Sequence, residues 1–315
     1  MENKVSPRTA PSLTGRAAAP VAIGLPVYNG EPYIHEALES LLGQTGVDFE
    51  VHIADNCSDD GTEDLCRELA ARDERVVYHR RSRNVGVTAN HNLLVDEVRS
   101  PYFTWAASDD AYRPDRLVKL YDALRQRPEA VLSFSSATQI GSDGEEVGSW
   151  DDVCDTGHAD PISRLRDLIA MQHENYHCYG LFRREALRRT QLLPPVKNND
   201  RILVAELALH GPFVEVRERL LLHRLHERRL TQCTSQREWY RTQRTDDRKV
   251  ILPNVEEAGW YLRAVRRSPL SIADRGRAML ALHPWFRANA VPMARNVAKA
   301  AVEGARLAAG GRTRS

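Results

Sequence analysis

Residues 102–114 read YFTWAASDDAYRP, and the fold turns on how this stretch is interpreted. Residues 102–107 are apolar or aromatic apart from Thr104, then Ser108, Asp109 and Asp110 arrive together before a turn at Pro114. A short apolar run bounded by turn formers reads as a buried strand. It delivers two adjacent carboxylates to one edge of a core. Left dry and unpaired they would repel, and one of them would hold its proton. A divalent cation removes that penalty, and so does a solvated turn; the residues alone leave both open.

Working outward, the same grammar repeats. VAIGLPVYN (21–29) is a buried strand, and Ile34, Ala37, Leu38, Leu41 and Leu42 follow on one helical face, with Pro32 near the helix start. FEVHIADN (49–56) is a second strand, and Thr62 is placed to cap the next helix. RVVYH (75–79) is a third strand, and NVGVTANHNLLVDEV (84–98) is a loop entering a helix. After the fourth strand comes a helix marked by Leu117, Leu120, Tyr121 and Leu124, then a strand in AVLSFSSATQI and a hairpin turn at Asp143–Gly144. This alternation predicts an α/β fold, a mostly parallel sheet flanked by helices. Beyond residue 150 it weakens. Residues 161–172 and 200–210 have helical patterning, and the chain from about 236 reads as short helices punctuated by Pro253, Pro269, Pro284 and Pro292. The expected organisation is a loose tail over 1–20, a catalytic body over 21–235 (a nucleotide-binding half, 21–140, and an acceptor half, 141–235) and a helical extension over 236–315.

The bulk numbers exclude little but usefully. The 315 residues are 42% hydrophobic and carry a net charge of +1, which gives no electrostatic reason to expect nucleic acid. The arginines at 80, 81 and 83, and at 228 and 229, read by default as a solvated face. Cys57, Cys66, Cys154, Cys178 and Cys233 form no CxxC and are odd in number, a usage that predicts neither a disulfide framework nor a structural zinc site and suits a reducing cytoplasm. No apolar run reaches bilayer-spanning length, and residues 1–20 lack the apolar centre of a signal peptide. The segment 286–310 has an Ala/Val face and a basic face, consistent with helix packing, a homodimer contact or a peripheral contact with an anionic inner-membrane face.

In open parallel sheets, ligands bind outside the carboxyl ends of the strands. PVYNGEPY, DNCSDDGT and SDD sit at three such ends, so chain-distant polar segments converge on one edge. Asp55 can accept from a planar N–H such as a pyrimidine base, with Tyr28 offering a ring face; Tyr28 can equally be packing. Adjacent carboxylates with diphosphate oxygens suit Mg²⁺ or Mn²⁺. SDDGT by itself is a common loop entering a helix.

These residues resemble the family 2 glycosyltransferases of GT-A fold. The likeness is carried by VAIGLPVYNGEPYIHEALESLLGQT, VHIADNCSDDGT, RNVGVTANHN and FTWAASDDAYRPDRL, and continues more loosely through YGLFRREAL, NNDRILVAELALHGPF and LLHRLH. It implies that Pro26, Tyr28, Glu31 and Asp55 line the nucleotide site and that Asp109 and Asp110 serve ribose and metal. Many relatives carry an acid where this chain has Ala107, so the acidic motif is incomplete. The family's general base matches Asp200, whose local alternative is a first-turn carboxylate favoured by the helix dipole. His226 matches a histidine near diphosphate and metal, with Arg224 in reach of phosphate; the alternative is a basic surface segment. His177, Tyr179 and Gly180 match the acceptor-facing region, or form core.

The expected activity is inverting transfer of a sugar from a UDP- or dTDP-sugar to a hydroxyl of a glycan, a lipid-linked or a small-molecule acceptor, with Mg²⁺ or Mn²⁺. A non-catalytic nucleotide-sugar-binding scaffold is the alternative that Ala107 motivates. A sugar nucleotidyltransferase would need a Gly-rich basic loop after the first strand, and PVYNGEPY has one Gly and no Lys or Arg.

Overall fold

In the computed structural model the described residues are 18–151, 156–170, 175–227, 229, 236–244 and 251–310. Residues 1–17 of the expected tail, together with Cys154, Arg228 and Cys233, lie outside them. Strand β1 (Val21–Val27) is buried at every position. Its odd residues pack with α1 (Ile34–Leu42) on one face of the sheet, while Ala22 and Gly24 face the other. A Cβ at Gly24 would lie 2.7 Å from the Phe103 ring, so only glycine admits that ring so close. Burial on both faces is why this strand is uniformly apolar rather than alternating.

The remaining strands are β2 (Phe49–Asp55), β3 (Val76–Arg80), β4 (Tyr102–Trp105), β5 (Ala111–Tyr112), β6 (Leu132–Ile140), β7 (Glu146–Trp150), β8 (Leu181–Arg183) and β9 (Phe213–Arg224). They form one sheet in the order β3-β2-β1-β4-β8-β6-β9-β5, with β7 paired to β6. β1, β2, β3 and β4 are mutually parallel, and β6 runs parallel to β9. β8 is antiparallel to both β4 and β6, so β1, β2, β3, β4, β6 and β9 all point the same way. The expected mostly parallel sheet is therefore present, and the carboxyl ends of β1, β2, β4, β6 and β9 share one edge. β7 closes the hairpin expected at Asp143–Gly144, with Gly144 at φ 88.

Helices α2 (Thr62–Arg72), α3 (Val87–Glu97) and α4 (Arg116–Gln126) fill the crossovers, followed by α5 (Pro161–Ala170), α6 (Arg184–Arg189) and α7 (Asn199–Ala208). Thr62 does not cap α2 with its side chain: its hydroxyl accepts instead from the Gly30 N–H at 2.9 Å, joining the loops after β2 and β1. Among the described C-terminal residues are α8 (Gln236–Gln243), α9 (Pro253–Arg267), α10 (Ile272–Ala281) and α11 (His283–Gly310). They share a core with the body: Tyr240, Tyr261, Val265 and Ala278 pack with Ile162, Leu165, Ile202 and Ala205. No helix among the described residues is long and apolar enough to cross a membrane.

One polar group is enclosed at that junction. Glu257 of α9 is 4% exposed and accepts from the Asn198 amide at 3.2 Å on both oxygens. Burial pushes its carboxyl up to about 7, against the pull of Asn198, Arg201 and Lys197. An unfolded chain gives up this proton in the ordinary glutamate range, while the folded protein keeps it to near 7. Raising the pH through that window therefore favours unfolding, and the penalty is fully present above it. Glu257→Gln should raise stability by up to roughly 3 kcal/mol at about pH 8 and by little at about pH 4. Urea unfolding at the two pH values checks this; an equal effect at both would mean the carboxyl is not held protonated by the fold.

Candidate active site

The loop after β1 is the hub of the edge. Tyr28, 48% exposed, and Glu31 lie on its open side, with Pro26 buried in the strand beneath, in register with Ala54. Asn29 takes φ 54, a left-handed conformation that asparagine tolerates. Its N–H donates to Ser58 Oγ at 2.9 Å, its amide donates to Asp59 at 2.7 Å, and the Glu31 N–H donates to Asp60 at 3.2 Å. Asp59 and Asp60 thus fasten one loop to another.

Asp55 ends β2 and is fully buried. Its carboxylate accepts from the Ser58 N–H at 2.8 Å, the Tyr78 hydroxyl at 2.6 Å and Arg80 at 2.7 Å. Burial pushes this carboxyl up, but the hydrogen bonds from Ser58, Tyr78 and Arg80 outweigh it and hold it below the ordinary range. The Ser58 side chain adds a fourth hydrogen bond, so the carboxylate is fully engaged within the protein. Arg80 is not a free surface charge: it bridges Asp55 and Glu63. Arg81 likewise pairs with Glu97.

The SDD segment meets the end of β9. Asp110 is buried, accepts from the Arg224 N–H at 2.9 Å and lies 3.0 Å from His223 Nδ1. Burial pushes its carboxyl up, and the hydrogen bond from His223 pulls it back only in part. Asp109, with its side chain 33% exposed, lies 3.0 Å from His226 Nε2. The Tyr112 hydroxyl accepts from the Ala107 N–H at 2.8 Å and faces its carbonyl at 3.2 Å, closing the loop where relatives carry an acid. Arg224 does not reach toward phosphate. Its guanidinium is 2% exposed, binds Glu36 at 2.5 Å and the carbonyls of Asp109 and Gly141 at 2.9 and 3.2 Å, and lies 4.8 Å over the Tyr33 ring. His226 completes the stack, its ring 4.7 Å from Tyr33.

Asp200 sits in the first turn of α7, and burial pushes its carboxyl above the ordinary range. In the segment leading into β8, the half-buried Cys178 thiol is raised by desolvation and then by the charges of Asp200 and Asp110. In the same segment, Tyr179 is partly buried, its carbonyl accepting from Thr104 at 3.1 Å and from the buried Arg116. Gly180 is packed where a Cβ would lie 2.5 Å from Leu132 and from the Ser133 carbonyl. His177 is fully buried among Phe134, Phe213 and Trp150, with Nδ1 2.9 Å from Asn175 Oδ1. It underpins this wall rather than lining its surface, contrary to the acceptor-facing expectation.

Among the described residues, no three His, Cys, Asp or Glu side chains are arranged to hold a metal unaided. Magnesium-type sites often use one or two protein ligands and complete the shell from phosphates and water. Asp109 and His226 fit such a partial set. The buried His226 Nδ1 has no hydrogen-bond partner, while Nε2 faces the Asp109 carboxylate, which selects the Nε2–H tautomer. Asp110, buried under two donors, has the weaker geometry for a ligand than the sequence reading gave it.

The glycosyl transferase family 2 model matches residues 22–191. A Bacillus subtilis protein bearing the name of a teichuronic acid biosynthesis glycosyltransferase, TuaG, is 29% identical over 130 residues, 41% of this chain and 51% of that protein. Glycosyltransferase GlyA of Streptococcus pneumoniae is 30% identical over 101 residues, 32% of this chain and 14% of that protein. The match thus spans about half or less of these relatives. Two solved structures share the fold. TarS of S. aureus in complex with UDP-GlcNAc aligns at TM-score 0.62 and 14% identity, over 85% of this chain and 72% of that one. A mannosyltransferase from Pyrobaculum calidifontis in complex with GDP-Man and Mn²⁺ aligns at 0.54 and 16%, over 94% and 81%.

Arg224→Met should lower stability by about 2–3 kcal/mol, because the carbonyls of Asp109 and Gly141 lose a charged donor in a dry site. Glu36, with its side chain half exposed, is rehydrated at little cost. A urea midpoint that falls at unchanged slope is the expected signature; an unmoved midpoint would show that Arg224 fastens nothing.

Proposed function

The chain belongs to glycosyl transferase family 2, and from that premise we propose that it moves a sugar from a nucleotide-diphosphate sugar to an acceptor hydroxyl with inversion. The carrying observation is that the ends of β1, β2, β4 and β9 bring Tyr28, Asp55, Asp109 and His226 to one sheet edge, with Asp200 in the first turn of α7 as the candidate base. In this reading Tyr28, Glu31, Pro26 and Asp55 line the nucleotide site. Asp109 and His226 hold a divalent cation, Mg²⁺ or Mn²⁺. When bound, that ion neutralises charge on the departing diphosphate.

Asp200 takes the proton of the attacking hydroxyl. Its buried setting raises its basicity, which suits a general base working near neutral pH. A base on the far side of the sugar from the diphosphate dictates a single displacement and hence inversion. Tyr179 and Gly180 form the wall beside it, stiffened from below by His177. The domain division at 140 and 235 carries the same logic, with donor groups in the first half and base and acceptor wall in the second. Glycan, lipid-linked and small-molecule acceptors all present the required hydroxyl. The basic face of α11 suits a peripheral membrane or self-contact. Ala107 favours the scaffold alternative, in which nucleotide binds and no sugar moves.

Asp200→Asn, nearly isosteric, should keep nucleotide binding and lose transfer by a factor on the order of 10²–10⁴. Thermal shift with UDP-, dTDP- and GDP-sugars, each with Mn²⁺ or chelator, reads the binding, and nucleoside diphosphate release reads the turnover. Undiminished turnover in the variant would remove Asp200 from the reaction; binding without turnover in the wild type would establish the scaffold.

A further inference from the structure

Between the body and the C-terminal helices lies a cavity of about 330 Å³, bounded by α5, the start of α7, α9 and α11. That is the lower end of the volume range of small-molecule sites. Its wall is chemically mixed. Asn198, Asn254 and Asn289 bring side-chain amides, Glu257 brings a carboxyl, and Trp285 brings an aromatic ring. Each amide can both donate and accept, as sugar hydroxyls do.

Several features hold these groups in place. Asn198 sits at φ 58, a left-handed conformation that turns the chain just before α7 and leaves its amide on Glu257. Asn254 donates to Asn289 at 2.9 Å across the gap between α9 and α11. Trp285 is braced edge-on by Tyr261 at 5.4 Å. The Glu257 carboxyl is kept up to about 7 by burial, at a cost to stability that packing alone would not select. The cavity also adjoins the proposed base: Asn198 and Arg201 line it, and Asp200 lies between them in the chain. The charge of Asp200 is felt at both Glu257 and Tyr261.

We propose that this cavity is a saccharide-binding subsite, taking a sugar unit of the acceptor through Asn198, Asn254, Asn289 and Glu257 with its apolar face on Trp285. This deepens the proposed transferase reading, since it makes the acceptor a glycan rather than a bare lipid or an aromatic natural product. Paired amide and carboxyl groups match vicinal hydroxyls, and a braced indole matches the C–H face of a pyranose. Lys197 and Arg201 also line the cavity, so a sugar bearing an acidic group fits as well as a neutral one, whereas a purely apolar ligand would meet amides, a carboxyl and two cations.

The test uses the full chain and saturation-transfer NMR with methyl glycosides of glucose, galactose, mannose, N-acetylglucosamine and rhamnose, without donor present. Wild type should give transfer to at least one glycoside. Trp285→Leu, and independently Asn289→Ala should Trp285→Leu fail to fold, should weaken it by about tenfold, as loss of one good contact does. No signal from any glycoside in the wild type, or a signal unchanged in a folded variant, would overturn the assignment. Donor hydrolysis is measured in the same samples. Its absence from the wild type would count against the transferase reading alone, because glycoside binding is read without donor.

Discussion

The buried guanidinium of Arg224 is the constraint on which the active edge depends. One planar group joins the end of β9 to Glu36 of α1, to the Asp109 carbonyl, to the turn at Gly141 and to the face of Tyr33. Its backbone N–H meanwhile holds Asp110. A lysine could not replace it, because an ammonium has neither the planar fork nor the stacking face. Four segments distant in the chain are brought into register by this side chain, and Asp109 is left on the open side with His226 beside it. A second fastening, through Asn29, Ser58, Asp59 and Thr62, joins the loop after β1 to the loop after β2.

Much of this was legible in the sequence because it is local. Buried strands such as VAIGLPV announce themselves as apolar runs, and the carboxyl-end rule then gathers Tyr28, Asp55 and Asp109 without further knowledge. What escaped is long-range. Arg80 reads as basic surface and Arg224 as a phosphate contact or basic surface, since no local pattern reveals that Glu36 lies 188 residues away in the chain or that Asp55 waits on the neighbouring strand. β9 carries charged residues in its middle, at Glu215, Arg217 and Glu218, so its twelve residues lack a clean alternation. β5 and β8 have two and three residues and cannot show a period at all. His177 illustrates the opposite error. An aromatic-rich segment near an acceptor invites an exposed reading, whereas Phe134 and Phe213 enclose it.

Four carboxyl groups in the described structure, Asp110, Asp200, Glu206 and Glu257, are held above their ordinary range by burial. Buried acids weaken a fold, and packing gives no reason to keep them. Glu206 accepts from the Gln191 N–H and fastens a loop, whereas the other three lie behind Asp109 and His226, at the proposed base and in the cavity beyond it. The C-terminal helices, which looked like an appendage, complete this row by supplying Glu257, Asn254, Asn289 and Trp285.

The central claim is that Asp109 and His226 form one half of a cation site whose other half is a diphosphate. Anomalous diffraction from crystals grown with Mn²⁺ and UDP tests it most directly. The account predicts a manganese peak at coordination distance from the Asp109 carboxylate and the His226 ring, with both phosphates on its outer side and Asp110 still bonded to the Arg224 N–H. A manganese peak held elsewhere, with Asp109 and His226 still bonded only to each other beside bound UDP, would contradict it.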